Sequence, residues 1–242
     1  MKNFQRKKLK PYIFLEQNDI HPDILVDSQR LSLTEEVEQA ARKLNLQLKN
    51  NDQCYIGNIT QKNSIDLLTS INSCNNSIYM AEFLSTLISG VKGKPVYEGN
   101  KNQIDKNLLE NILSDITEQI YPYRGEWYNT SFTQIKSVLQ IIYKKFDQQG
   151  NIVKVSEPLD PDTLMSDRFP GIDLKSWVEN PTSHGLPRKE VKGGNTLYCG
   201  PREDNVVRFS AGSSEVALYC SGGSMVSVSN LGVRRAWLYA KY

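Results

Sequence analysis

Three arginines near the C-terminus, Arg208, Arg234 and Arg235, could together hold an anionic ligand. The guanidinium fork matches carboxylate and phosphate geometry and keeps its charge at any ordinary pH. Strand alternation would put Arg234 and Arg235 on opposite faces. One of them then points inward, where its charge needs a buried acid such as Glu126. Catalytic sets are harder to assemble. Serines are plentiful, but no G-x-S-x-G elbow is present. His184 lies beside Ser183 in a loop rich in Pro and Gly, and its ordinary reading is a loop histidine rather than a general base. Glu203-Asp204, or Asp160 with Asp162, could serve acid–base work or hold calcium, against the ordinary reading as exposed turn acids. Gly193-Gly194 and Gly222-Gly223 match no phosphate-loop pattern and read as turns.

Metal chemistry finds little support. The cysteines are Cys54, Cys74, Cys199 and Cys220, with no C-x-x-C pair, and His21 and His184 are the only histidines. Zinc-ligand spacing is therefore absent. Cys199 and Cys220 could pair if neighbouring strands brought them together, but buried free thiols are the simpler reading. No catalytic constellation, metal or cofactor is expected.

The 242 residues suit one large or two small domains, and 39% hydrophobic with 23% charged residues is a globular composition. A net charge of +2 gives no general attraction to nucleic acid or membranes. The first ten residues are basic, but no apolar stretch follows them, so neither a secretory signal nor a membrane span is expected.

Residues 1–31 show no periodicity, and Pro11 and Pro22 break any helix, so an extended or disordered segment is expected there. A helical scaffold is expected over 32–121. Its first helix starts near Ser32, where Ser32 and Glu35 fit a capping box, and it buries Val37, Ala40, Ala41 and Leu44. The second runs from about Ile78 to Ile88. The third is capped by Asp105 and carries a stripe of Leu108, Leu109, Ile112, Leu113, Ile116 and Ile120. After Pro122 the pattern turns to β. Glu126-Trp127-Tyr128 suits a strand, and 137–155 reads as a hairpin, with a helix over 133–146 as competitor. Residues 157–192 form a turn-rich cover, with a short helix over 173–178 and Trp177 and Phe169 as its expected anchors. Short strands are expected after it at Thr196–Cys199, Val206–Ser210, Val216–Tyr219 and Leu231–Ala240.

The composition of this tail changes abruptly. Lys is missing from Gly193 through Ala240 and no Gln follows Gln149, while Ser and Gly alternate with Val and Leu. Small side chains lose little entropy when fixed and are exchanged with little strain, which suits a binding surface.

Four stretches together resemble the variable proteins of diversity-generating retroelements. They are Pro122-Tyr123-Arg124-Gly125-Glu126-Trp127; Pro170-Gly171-Ile172-Asp173-Leu174 with Trp177; Gly185-Leu186-Pro187-Arg188 running to Val191-Lys192; and Arg208-Phe209-Ser210-Ala211-Gly212-Ser213 running to Leu231-Gly232-Val233-Arg234. The resemblance implies an α+β chain: an N-terminal helical region, then a C-type lectin-like domain over 122–242 of short antiparallel strands and long irregular loops, similar to formylglycine-generating enzyme. Its variable region would span about 196–237. In such systems template adenines are mutated, and an AAY codon never becomes Lys, Gln, Glu, Met or Trp. The Lys and Gln gap fits that restriction; Glu215 and Met225 do not.

The same resemblance implies a function. The protein would be a non-enzymatic, hypervariable ligand-binding protein of a virus, prophage or mobile element, cytoplasmic or virion-associated, recognising a protein receptor ahead of a glycan and no nucleic acid. One arm of its surface would be Tyr198, Arg208, Ser210, Gly212, Ser213 and Ser214. The other would be Tyr219, Ser221, Ser224, Val226, Ser227, Val228, Ser229 and Asn230, with Tyr198 and Tyr219 as hot spots. Phe209, Ala211, Ala217, Leu218, Leu231, Val233 and Trp237 would be scaffold. Two alternatives stand beside this: a copper-dependent oxidase-like enzyme on the same fold, using Cys199 and Cys220, and a structural virion or assembly protein.

Overall fold

β-rich sequence in the second half of the chain folds into one large sheet, and residues 12–27 and 236–238 meet in a smaller one. The computed structural model describes residues 11–50, 56–119, 124–166, 168–225 and 231–239. Along them run β1 (Tyr12–Leu15), β2 (Ile24–Asp27), α1 (Glu35–Lys43), β3 (Lys49–Asn50), β4 (Ile56–Gly57), α2 (Gln61–Ser70), α3 (Ser77–Val91) and α4 (Lys106–Thr117). Next come β5 (Arg124–Ile135), β6 (Val138–Phe146), β7 (Ile152–Pro158), β8 (Gly171–Ile172) and α5 (Leu174–Glu179). The last are β9 (Thr196–Cys199), β10 (Val206–Ala211), β11 (Val216–Tyr219), β12 (Leu231–Gly232) and β13 (Ala236–Leu238). With 25% helix and 31% strand in antiparallel sheets, the chain is mixed α/β.

The large sheet runs β7-β6-β5-β10-β11-β9-β8, with β12 beside β5. Its pairs are antiparallel apart from β9 with β11 and β12 with β5. Because side chains alternate along a strand, β10 serves two cores. Val207, Phe209 and Ala211 join α3, α4 and Trp177 of α5 in one cluster. Val206 joins α1, α2, Trp127, Leu231 and Val233 in the other. Helices thus cover both faces of the centre of the sheet. That explains why β5 is buried over Arg124–Thr130 instead of alternating.

The expected order of a helical region followed by a β domain is corrected by the pairing. Among the described residues β1 and β2 precede every helix, and β13 returns to β2 to make the three-stranded sheet β1-β2-β13. Cys74 and Ala236 add reciprocal backbone bonds of 3.0 and 2.8 Å. Local signals explain most helix starts. Asn76 and Asp105 accept from the first-turn amides of α3 and α4. The Ser32–Glu35 box does not form: Thr34 caps α1, its Oγ1 accepting from the Val37 amide. Ile120 lies outside the described residues. The β5–β6 turn uses Lys136 and Ser137 with φ of 47° and 66°, the left-handed pair of a two-residue hairpin. Residues 138–146 are strand, so the competing helix is absent there. Trp177 is buried and donates to the Gly185 carbonyl at 3.0 Å, anchoring the 157–192 cover. Phe169 is 56% exposed and anchors nothing.

Arg234 holds the two ends and the sheet together. Its Nη2 and Nε donate to Glu126 Oε1 and Oε2 at 2.6 and 3.1 Å, and its Nη1 donates to the Asp27 carbonyl at 2.6 Å. Burial opposes the charge, but Glu126 keeps the guanidinium protonated, above its ordinary range. Arg235 faces outward to Asp27 at 2.9 Å and Glu36 at 3.3 Å. Gly232 in this segment permits a close approach, because a Cβ there would lie 2.6 Å from the Ile56 carbonyl oxygen.

Candidate binding face

The side chains that could meet a ligand cluster where β10 and β11 end and the loop after β11 crosses α2. Register places Arg208 opposite Tyr219 on one side and Trp127 on the other, on one face of the sheet. The Arg208 guanidinium lies 4.6 Å from the Tyr219 ring and 5.9 Å from that of Trp127. Trp127 is buried and fixed by its Nε1, which donates to the Ile59 carbonyl at 2.8 Å. The Tyr219 hydroxyl donates to Glu215, so the ring over the arginine is tethered as well.

At one end of this face the Gly212 amide donates to the Glu215 carbonyl at 2.8 Å, closing a turn with Ser213 and Ser214 exposed at its tip. At the other end, Gly222 takes φ +110°, a conformation that favours glycine. Its amide donates to Asn205 Oδ1 at 3.0 Å, and its carbonyl accepts from the Val206 amide at 3.1 Å. Beyond it, Ser224 borders a groove of about 420 Å³ with Gln61, Lys62, Asp66, Ser131 and Asn205 along its walls. The groove mixes hydroxyl, amide and charged groups, the lining that orients a ligand by hydrogen bonds.

The residues named from sequence therefore separate. Ser213 and Ser214 are exposed; Arg208, Tyr219, Ser221 and Ser224 are half-buried. Tyr198, Ser210 and Gly212 are buried, which corrects their placement on the surface. Tyr198 is no hot spot. Its ring packs in the larger core with Leu218 and Val207, and its hydroxyl donates to the Leu164 carbonyl at 2.9 Å. Ser210 is inside because β10 is paired on both edges and Gly125 stands opposite it. Val226, Ser227, Val228, Ser229 and Asn230 lie outside the described residues. Phe209, Ala211, Ala217, Leu218, Leu231 and Val233 are buried, and Trp237 is half-buried, edge-on to Tyr12. Sequence reasoning missed Trp127, Glu215, Gln61, Lys62 and Asn205 as neighbours of this face. The signal was strand register, which no local pattern supplies.

The other candidates find structural partners. The Asp160 carboxylate oxygens accept from the Asp162 amide and from the amide and hydroxyl of Ser183, while Asp162 pairs with Arg188. Ser183 thus turns away from His184, whose Nδ1 accepts from the Asp160 amide at 3.2 Å and whose Nε2 faces Glu157 at 3.1 Å. Glu203 and Asp204 are exposed. Cys199 and Cys220 are buried free thiols on neighbouring segments, joined by a 2.8 Å bond from the Cys220 amide to the Cys199 carbonyl. Burial, with Cys199 close by, pushes the Cys220 thiol well above its ordinary range. Among the described residues no group of three or more His, Cys, Asp or Glu could hold a metal ion, and no helix is long and apolar enough to cross a membrane.

Comparison with known protein families, with curated sequences and with solved structures returns no match for this chain.

Proposed function

We propose that this chain is a non-enzymatic ligand-binding protein whose C-terminal surface is diversified by a retroelement on a C-type lectin-like fold. The reading rests on the resemblance of the four sequence stretches. One structural observation carries it further: small residues at the β10–β11 turn and in the loop after β11 face outward, while their strand neighbours fill the core. Side chains can therefore change at the exposed Ser213 and Ser214 without touching the framework, while the half-buried Ser221 and Ser224 leave less room. Arg208 and Tyr219 add the large, rigid contacts that dominate binding energy. The mixed sheet with its long irregular cover over 157–192 is compatible with the lectin-like fold. The ligand is a protein receptor ahead of a glycan, and the setting is a virus, prophage or mobile element.

Sequencing this locus in sister isolates tests the reading. Substitutions should concentrate at Arg208, Ser213, Ser214, Tyr219, Ser221 and Ser224 and within 226–230. A near-copy of the codons for 196–237 should lie beside a reverse transcriptase gene. Substitutions spread evenly over the chain, with no such copy, would leave the structural-protein reading in its place.

A further inference from the structure

We propose that Arg208 is the anchor of this face for a carboxylate, supplied by an Asp or Glu side chain of a protein ligand. The inference rests on the binding-face reading and names the chemistry that the face selects. Arg42, Arg124, Arg188, Arg234 and Arg235 each pair with a carboxylate. Arg208 forms no hydrogen bond or ion pair among the described residues, although it is half-buried and its Nε is buried without a partner. The guanidinium lies against two aromatic rings, which restrict its movement and offer no carboxylate. Glu215 accepts from the Tyr219 hydroxyl and forms no ion pair with Arg208. A partly desolvated cation with open donors favours an anion over water.

One feature selects a carboxylate over a phosphate, since the guanidinium fork itself takes either through two parallel bonds. Glu215, held on the Tyr219 hydroxyl, opposes a second negative charge on the ligand, and Arg208 brings a single positive charge to this spot. Fixing the arginine in advance removes the entropy that a free side chain loses on binding.

The test uses the full chain. The side-chain Nε–Hε resonance of Arg208 and the backbone amides around it are followed by NMR during titration with acetate and, separately, with inorganic phosphate. A saturable shift of these resonances with acetate is expected, and the backbone amide shifts should be lost in Arg208→Gln and weakened in Arg208→Lys. No shift in the wild-type chain, or a response to phosphate alone, would overturn the proposal without needing either variant to fold. A second arm selects peptides from a displayed library on the wild-type chain. Selected peptides should be enriched in Asp or Glu, and Arg208→Gln should weaken an acidic one by about 10–100-fold. Changing its Asp to Asn should give a similar loss, and the two changes together little more. Peptides selected without acidic residues would sink the carboxylate assignment and leave the binding face standing. A carboxylate response in a locus without diversification would do the reverse.

Discussion

Ser210 and Ser213 belong to one strand and the turn at its end, yet they live in opposite environments. Ser210 is 2% exposed, sealed between β5 and β11, and its hydroxyl has no partner among the described residues. Ser213 projects from the β10–β11 turn into solvent. Composition treats the two alike. Register separates them: a strand paired on both edges and covered by helices on both faces hides even its small polar residues, and only its ends remain open. A surface for exchangeable small side chains is therefore built from the turn and the loop, while within the strands only Arg208 and Tyr219 among the named positions stay half-open.

The largest effect should come from the buried side of this comparison. Arg234→Ala leaves Glu126 as an unpaired buried charge and releases the Asp27 carbonyl, so it should destabilise the fold by about 3–5 kcal/mol. Urea denaturation measures this directly. The paired change Glu126→Gln with Arg234→Met should cost clearly less, because no lone charge is left behind. Equal losses would show that the anchor acts through packing against Phe83 rather than through charge.

Next in size is a pH effect at the same junction. Burial pushes the Asp27 carboxyl up from 3.8 to about 6, although Arg235 and Arg234 act in the opposite sense. The folded chain therefore holds this proton more tightly than the unfolded chain. Stability from this group is complete below about pH 4 and is lost as pH rises through 6, about 3 kcal/mol in all. Unfolding midpoints between about pH 4 and pH 7 should decline relative to those of Asp27→Asn. Parallel curves for the two proteins would remove Asp27 as the cause.

Much of the framework was legible because its signals are local. Asp105 caps α4, the apolar stripe of that helix packs inward, and β9 and β11 have the bounds their residues suggest. That one of Arg234 and Arg235 would turn inward to a buried acid such as Glu126 was legible too, from the need of a buried charge for a partner; the structure makes it Arg234, in the non-strand segment between β12 and β13. The hidden parts have equally physical causes. Lys136-Ser137 builds a tight hairpin without the Asn-Gly signal that such turns favour. α2 carries only Leu67 and Leu68 as strong apolar contacts, too few for a readable stripe. Tyr198 was misplaced because β9 lies within the sheet between β8 and β11, and one sequence does not reveal which strands become its neighbours.

Tyr198 also gives a smaller, cleaner test of its inward position. Tyr198→Phe keeps the ring and removes one bond, from the hydroxyl to the Leu164 carbonyl. The expected loss is about 1 kcal/mol in urea denaturation, with any ligand bound as before. Unchanged stability with lost binding would return Tyr198 to the surface and reverse the comparison.

The smallest effect belongs to the turn, and it bears most directly on exchangeability. Ser213→Tyr and Ser214→Tyr place large rings where the chain meets solvent, and neither residue has a side-chain bond to lose among the described residues. Each should shift stability by no more than about 0.5 kcal/mol. The same change at Ser210 should cost about 1–3 kcal/mol, because a ring there must enter the space beside Gly125. Thermal melts of the three variants, run side by side, decide whether the fold tolerates change at the turn and refuses it in the strand. If Ser213→Tyr melts as early as Ser210→Tyr, the turn is part of the framework, and a diversified surface cannot be built on it.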